Sequence, residues 1–517
     1  MALFETGAQF PPVEEVERLA LYKAMEAFYE AKQDDIYNRL QDFLKDRPQR
    51  DQISKLYLGC NLADVICTKP SELLLSEPPI IDSGKDVNTE EQKAVDRIEK
   101  ANNIRNLIFR MTVTGAIHGD SFLKVYFNYR QDFTELFKMQ RSLGIEPMIP
   151  DTVKPEIVMQ SLSPEMVFPE LAKGSKKDFK AVNIANIEWV QIGKDEIPYL
   201  VVERHIPFYV QYKRYELKLD YVNDLYYDVS VPVYTIGDEV GTGREENLVY
   251  TGVEKPLVFH FPYKQTDLDW RGTGAIEKIA EYLVAIADRL TAIDWILHKH
   301  SDPILVGPHI EGNSALLNLS GAYMERSNED PDLKYVTWEP HLQYNFQELD
   351  MLLNNVFLMA QLPSWLFGSS ITNANVSGGG TSHTDSSTTK LRYAPVSALL
   401  DRLNSSLVEV LGDAFYYAQV LENEVNKTDN GYVKGFIAYT PVRPRIQLST
   451  GIPRNDKEVV ENTVLRYQNG LIDKVSALKT LDGLDDVTAE DMAKKIREDE
   501  ISQTGTVDST IFNNQGA

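Results

Sequence analysis

The sequence predicts an α+β protein in which helices and strands occupy separate stretches of the chain. Apolar residues recur at helical spacing through most of the first 120 positions. Residues 121–262 then turn to short runs of Val, Ile, Tyr and Phe, and from residue 272 long helical stripes return. Such segregation builds mixed layers with antiparallel sheet rather than alternating βαβ units.

Each stretch has its own signals. An acidic segment at Glu14, Glu15 and Glu17 leads into a Leu/Ala-rich helical pattern through Leu44, and a second stretch runs from Ile53 to Leu75, stopped near Pro78-Pro79. After the charged segment from Lys93 to Lys100, Ile104, Leu107, Ile108 and Met111 mark an amphipathic helix that ends between Gly115 and Gly119. Leu123-Lys-Val-Tyr-Phe127, Ile187-Glu-Trp-Val-Gln-Ile192 and Leu200-Val-Val-Glu-Arg204 then read as strands, with Asn223-Asp224 and Gly237-Asp238 as turns of an antiparallel meander.

At Gly272-Thr-Gly274 the helical period resumes. Ile276, Ile279, Leu283, Ile286, Leu290, Ile293 and Leu297 alternate spacings of three and four, which predicts seven to eight turns, about 40 Å, stopped by Pro303. A compact segment from Ile304 to Pro340 follows, with β-prone runs Ile304-Leu-Val306 and Tyr335-Val-Thr-Trp338 around the polar stretch Arg326 to Asp332. Asn345 opens a second helix through an N-x-x-E pattern to Glu348, turning Leu349, Leu353, Val356 and Ala360 inward until Pro363, beside which Trp365 reads as a core anchor.

From Gly368 to Ser386 there are nineteen residues, four of them Gly and ten Ser, Thr or Asn, with only Asp385 formally charged; no core forms from that composition. A long helix then runs to about Glu424 through Leu400, Leu403, Leu407, Val410, Ala414, Ala418 and Leu421, with a kink or a start expected at Pro395. Residues 434–448 read as a strand containing Pro441 and Pro444. A helical tail opens with Asn455-Asp-Lys-Glu458, a last helix follows Thr488-Ala-Glu-Asp491, and residues 501–517 are polar enough to predict disorder.

Composition limits the chemistry. With 517 residues, 43% of them hydrophobic, the chain can bury cores in two to four domains. Its 53 basic and 77 acidic residues leave a net charge of −24, which argues against wrapping nucleic acid on a basic surface. No run nears the ~18 apolar residues of a membrane span and the start lacks a signal peptide's basic residues, so a soluble, non-secreted chain is expected. Cys60 and Cys67, seven apart, read as reduced core residues on one helix face.

No nucleotide-binding G-x-x-x-x-G-K-[ST] occurs, and Glu277 spoils G-x-G-x-x-G after Gly272-Thr-Gly274, leaving a helix-opening turn. The eight histidines are scattered; His298 and His300, two apart on a helix, point away from one another. There is no G-x-S-x-G elbow, and Asp34-Asp35 and Asp485-Asp486 read as solvated faces. No catalytic residue, metal or cofactor is therefore expected. A metal-dependent nucleic-acid enzyme would need convergent strand carboxylates, for which Glu188, Glu203 and Asp220 are the candidates, although strand alternation exposes acids there anyway.

The informative pattern is an order: long helix, small insert, second helix, uncharged polar loop, long kinked helix. In combination with local motifs it resembles the portal (connector) proteins of tailed double-stranded DNA bacteriophages, of the siphovirus type, from about Asn103 to Glu500. His118-Gly-Asp-Ser-Phe-Leu-Lys-Val125 looks like that family's glycine turn into a first wing strand, and Ser301-Asp-Pro-Ile-Leu-Val306 like the end of a first stem helix. Leu362-Pro-Ser-Trp-Leu-Phe-Gly368 followed by Asn375-Val-Ser-Gly378 is similar to the stretch before a tunnel loop. Ile452-Pro-Arg-Asn455, Asn469-Gly-Leu-Ile472 and Leu484-Asp-Asp486 resemble the family's crown.

The resemblance implies a portal fold: a wing over 1–271, β-rich from about 121, antiparallel stem helices at 272–300 and 345–361, and a small α/β clip at 301–344. Residues 362–449 return to the wing with a tunnel loop at 368–386, and 450–500 form a helical crown. It also implies a ring, usually of twelve subunits, at one capsid vertex of the virion, assembled in the host cytoplasm. Through it the large terminase drives double-stranded DNA in, and DNA later leaves. The other implied partners are head-completion and adaptor proteins, the major capsid protein and scaffolding protein; no membrane is involved.

On that reading Thr372, Asn373, Asn375, Ser377 and His383 face DNA, and Lys390 and Arg392 are candidate phosphate contacts, or else solvated helix charges. Glu325, Arg326, Glu329, Asp330 and Lys334 form a charged clip surface for docking, or else an exposed turn. Twelve copies multiply a charge of −24 each, so a channel with that balance repels phosphates and lets DNA slide. The alternative of the same assembly class is another virion ring, such as a tail or baseplate adaptor.

Overall fold

The computed structural model describes residues 3–31, 58–86, 88–150, 153–225, 229–244, 246–300, 305–308, 323–326, 342–367, 386–429, 431–449, 451, 456–482 and 489–499. Helix and strand are mixed in an α+β arrangement. The helices are α1 Val13–Tyr29, α2 Leu62–Leu74, α3 Glu90–Asn102, α4 Ile104–His118, α5 Thr134–Ser142, α6 Ala280–His300, α7 Leu342–Ala360, α8 Ser386–Val425, α9 Asp456–Gln468 and α10 Lys474–Asp482. The strands are β1 Gln9–Phe10, β2 Ile80–Asp82, β3 Asp120–Asn128, β4 Glu156–Leu162, β5 Val167–Leu171, β6 Phe179–Ile192, β7 Asp195–Ile206, β8 Tyr209–Leu225, β9 Val229–Val240, β10 Leu248–Tyr250, β11 Val258–Pro262, β12 Leu305–Pro308, β13 Tyr323–Arg326, β14 Lys427–Thr428, β15 Gly431–Tyr432 and β16 Arg445–Gln447.

Two compact units result, one of residues 1–381 and 394–451, the other of residues 382–393 and 452–517. The first contains a seven-stranded antiparallel sheet in the order β1-β9-β8-β7-β6-β5, with β10 pairing against the start of β8. Period-two alternation sets its faces: Leu200 and Val202 of β7 are buried, while Val201 and Glu203, which alternate with them, are less so. Helix α1 lies on the buried face, where Leu19 and Tyr22 join Phe168, Leu200, Tyr215 and Ile236. A second antiparallel sheet, β11-β3-β4, shares a core with the first through Phe122, Val258, Trp270, Val182 and Ile184.

Helix α4 runs through the middle of this unit with Ile108 and Met111 fully buried. Asn103, at φ 43°, breaks α3 from α4, and its side chain accepts from the Asn106 amide to cap the second helix. The charged segment from Lys93 to Lys100 is part of α3. Thr89 caps it through the Gln92 amide at 3.3 Å, and Val95 and Ile98 bury its apolar side.

Several expectations change. Asn223 and Gly237 sit inside β8 and β9; Asn223 pairs with Val231, and Gly237 lies beside a register shift between Tyr215 and Leu217. A Cβ at position 237 would come within 3.3 Å of Glu216, so this glycine serves a bulge rather than a turn. The β6–β7 connection is instead the two-residue turn Gly193-Lys194, with Gly193 at φ 71°.

Helix α6 has 21 residues, about 31 Å rather than 40 Å, because residues 275–279 form turns ahead of it. Asn345 does not open α7, which is already helical at Leu342. Of the two expectations at Pro395, a start there is not seen: α8 begins at Ser386 and the 40-residue helix runs through the proline, next to the buried stripe of Val396, Leu399, Leu400 and Leu403. From 434 to 448 only Arg445–Gln447 pairs, with β2, because Pro441 and Pro444 have no amide proton to donate. Cys67 is buried in α2, but Cys60 precedes that helix and is exposed, so the two do not share a face.

In the second unit α9 packs on α10, and residues 489–499 are helical with Ala489 buried. The predicted tail, 501–517, lies outside the described residues, as does Asn455.

Candidate functional site

The candidate functional region begins just ahead of α6. Two glycine turns cross there, one from His118-Gly119-Asp120 and one from Gly272-Thr273-Gly274. Gly119 closes α4 at φ 91°, and a Cβ on it would stand 2.3 Å from the Gly272 carbonyl oxygen; one on Gly272 would stand 2.2 Å from that of Gly119. Neither position admits another residue without moving backbone. Asp120, fully buried, ties the crossing together. Its carboxylate accepts from the Gly272 amide at 2.7 Å, from the Tyr22 hydroxyl at 2.5 Å, and lies 2.7 Å from His260 Nε2. The Ala275 amide donates to the Ala116 carbonyl at 2.7 Å, so the first turn before α6 is held by the last turn of α4.

Helices α6 and α7 pack on one another, and Arg289 pairs with Glu348 at 2.9 Å across the contact. Ile286 and Ile293 of α6 and Val356 and Phe357 of α7 are buried. The other side of α7 carries an apolar line of its own. Tyr344, Met351 and Leu358, spaced seven apart, fall on one line and are 67%, 59% and 77% exposed. No Lys or Arg occurs in α7, whose charged residues are Glu348 and Asp350. Between the two helices β12 and β13 form a parallel pair, with Val306 opposite Met324.

The expected site residues fall as follows. Thr372, Asn373, Asn375, Ser377 and His383 lie outside the described residues, as do Glu329, Asp330 and Lys334. Lys390 and Arg392 lie in the first two turns of α8. Glu325 and Arg326 lie on β13, opposite Gly307 and Pro308, so the candidate docking surface starts on a strand rather than in a turn. The second β-prone run of the insert, Tyr335 to Trp338, is outside the described residues, and β13 was not anticipated.

The three strand carboxylates do not converge. Glu203 is opposite Ile184, four positions from Glu188 along β6, roughly 13 Å at ~3.3 Å per residue. Each also has its own partner: Glu188 pairs with Arg214 at 3.0 Å, Asp220 takes the Thr235 hydroxyl, and Glu203 meets Lys124 at 2.6 Å and His205 at 2.9 Å. Burial alone would raise the Glu203 carboxyl; the His205 hydrogen bond and the Lys124 charge outweigh it and hold the pKa at about 2.

Sequence reading missed a polar node between α3 and α8. Glu422 receives Arg97 through two nitrogens, at 3.2 and 2.7 Å, and the Tyr439 hydroxyl. Burial first, and then the Glu422 charge, push the Tyr439 phenol far up. Residues more than 300 positions apart meet here, so no local pattern announces the contact. The α7 stripe was missed as well, although its seven-residue spacing is a local pattern. No family model and no curated protein matches this sequence.

Proposed function

We propose that the chain is a portal-type ring protein of a double-stranded DNA phage, the passage through which a separate motor drives DNA and the platform on which terminase and adaptor proteins dock. The observation that carries the reading is the Tyr344, Met351 and Leu358 stripe on α7. Two helices separated by a small β insert already bury one side of α7, yet the stripe leaves a second side apolar and exposed. A helix apolar on both sides belongs between neighbours, and a ring supplies the second neighbour as another copy. The order of elements supports the same reading: paired helices around a strand-bearing insert, a polar stretch at 368–386 with Asp385 as its one formal charge, and a 40-residue helix.

The acidity fits such a passage, since phosphates meet no dense field of cations to hold them. The test is the native mass of the purified full-length protein, with class-averaged electron images of the same sample. A ring of about twelve copies with an opening of at least ~20 Å, wide enough for a duplex, is expected. A chain that stays monomeric or dimeric at every concentration and salt tried overturns the proposal.

A further inference from the structure

We propose that Glu26, His118 and Glu165 form a divalent-cation site that ties α1, the end of α4 and the turn before β5 together. One donor atom from each of the three lies within 4.8 Å of the other two. Glu26 is in the fourth turn of α1, one turn after Tyr22; His118 is the last residue of α4; Glu165 is in the short turn Pro164–Met166. Three segments far apart in the chain thus deliver two carboxylates and an imidazole to one place.

The histidine is what singles the cluster out. His118 is 8% exposed, and its Nδ1 lies 3.2 Å from the Thr114 carbonyl oxygen one helical turn back. Donation to that carbonyl puts the ring proton on Nδ1 and leaves the lone pair on Nε2, the arrangement that metal-bound histidines take from their outer partners. Nε2 is buried and has no hydrogen-bond partner. Tyr22 packs edge-on against the ring, 5.3 Å between centroids at 80°, which holds its plane. Burial keeps the imidazole neutral, with its pKa lowered to about 4.

An imidazole with two carboxylates suits a borderline ion such as Zn²⁺ or Mn²⁺. Bonds of ~2.1 Å to a tetrahedral ion place ligand atoms about 3.4 Å apart, so the two half-buried glutamates need to close in by roughly 1 Å. The fourth position is left to water. The guanidiniums of Arg18 and Arg271, which approach the Tyr22 ring to 5.1 and 5.8 Å, have their own carboxylates in Glu15 and Glu277. This inference does not depend on ring formation.

The test uses tag-free, chelator-treated full-length protein titrated calorimetrically with Zn²⁺ and with Mn²⁺, with thermal unfolding followed in parallel. Expected are saturable uptake of one ion per chain and a higher unfolding temperature with the ion. Glu26→Gln and Glu165→Gln should each weaken binding at least ~10-fold while unfolding, metal-free, where the parent does. If Glu165→Gln does not fold, Glu26→Gln decides alone. No saturable uptake, or parental affinity in the folded variants, overturns the site.

Discussion

Glu203 occupies a position on β7 that alternation alone marks as a solvated strand acid, yet it meets Lys124 and His205 in a partly buried cluster. Its pKa, about 2 when folded, lies below the ordinary 4.5. The unfolded chain therefore binds the proton more readily, and the contribution of Glu203 to stability is complete above about pH 4.5 and lost as pH falls toward 2. Its size is on the order of 3 kcal/mol. Urea unfolding measured from pH 6 down to 2.5 should show the parent losing stability more steeply than Glu203→Gln below pH 4.5; parallel curves would mean the carboxylate is not held. At this same scale the crossing of Gly119 and Gly272 explains two motifs that sequence reading placed separately. One read as a strand opening and the other as a helix opening, and each is glycine because the other's carbonyl occupies the space of a side chain.

Among the elements, α7 carries most of the proposed assembly. Leu349, Leu353, Val356 and Ala360 were readable as an inward set; Val356 is buried, and the other three are half-buried. The second, outward set follows from heptad spacing, which a search for one buried face passes over. Met351→Glu and Leu358→Glu alter side chains that are exposed in the single chain, so the fold should lose no more than ~0.5 kcal/mol. Each should nevertheless break the ring, because a carboxylate would enter an apolar contact between copies. Native mass spectrometry decides: rings of parental mass from both variants would remove α7 from the contact. Helix α8 teaches the reverse about local rules, since its buried stripe carries the helix through Pro395.

Across the whole molecule, the proposed passage of DNA turns on the nearly uncharged segment at 368–385, which follows the short helical turn Ser364–Phe367 and precedes α8. Polar, nearly uncharged residues can touch a moving phosphate backbone through weak hydrogen bonds without the counterion release that would arrest it. Deleting Thr372 to Thr384 should leave ring assembly intact and lower the amount of DNA packaged or retained per capsid. Packaging and retention at parental levels by such rings would separate this segment from the DNA path.

Length, charge, the switch from helical to strand period near residue 121, and the return of long helical stripes after residue 272 were determined by the sequence itself, because each is a local pattern that burial must respect. So were the helices around Ile104, Leu283 and Leu403, whose apolar residues repeat over several turns. Tertiary structure decided what depends on residues distant along the chain. Gly237 became a bulge because Glu216 lies opposite, and Asp120 became a hub because Tyr22, His260 and Gly272 all reach it. Glu26, His118 and Glu165 met because two helices and a turn converge. Periodicity reports which face of an element is buried, whereas only packing determines which side chains meet there.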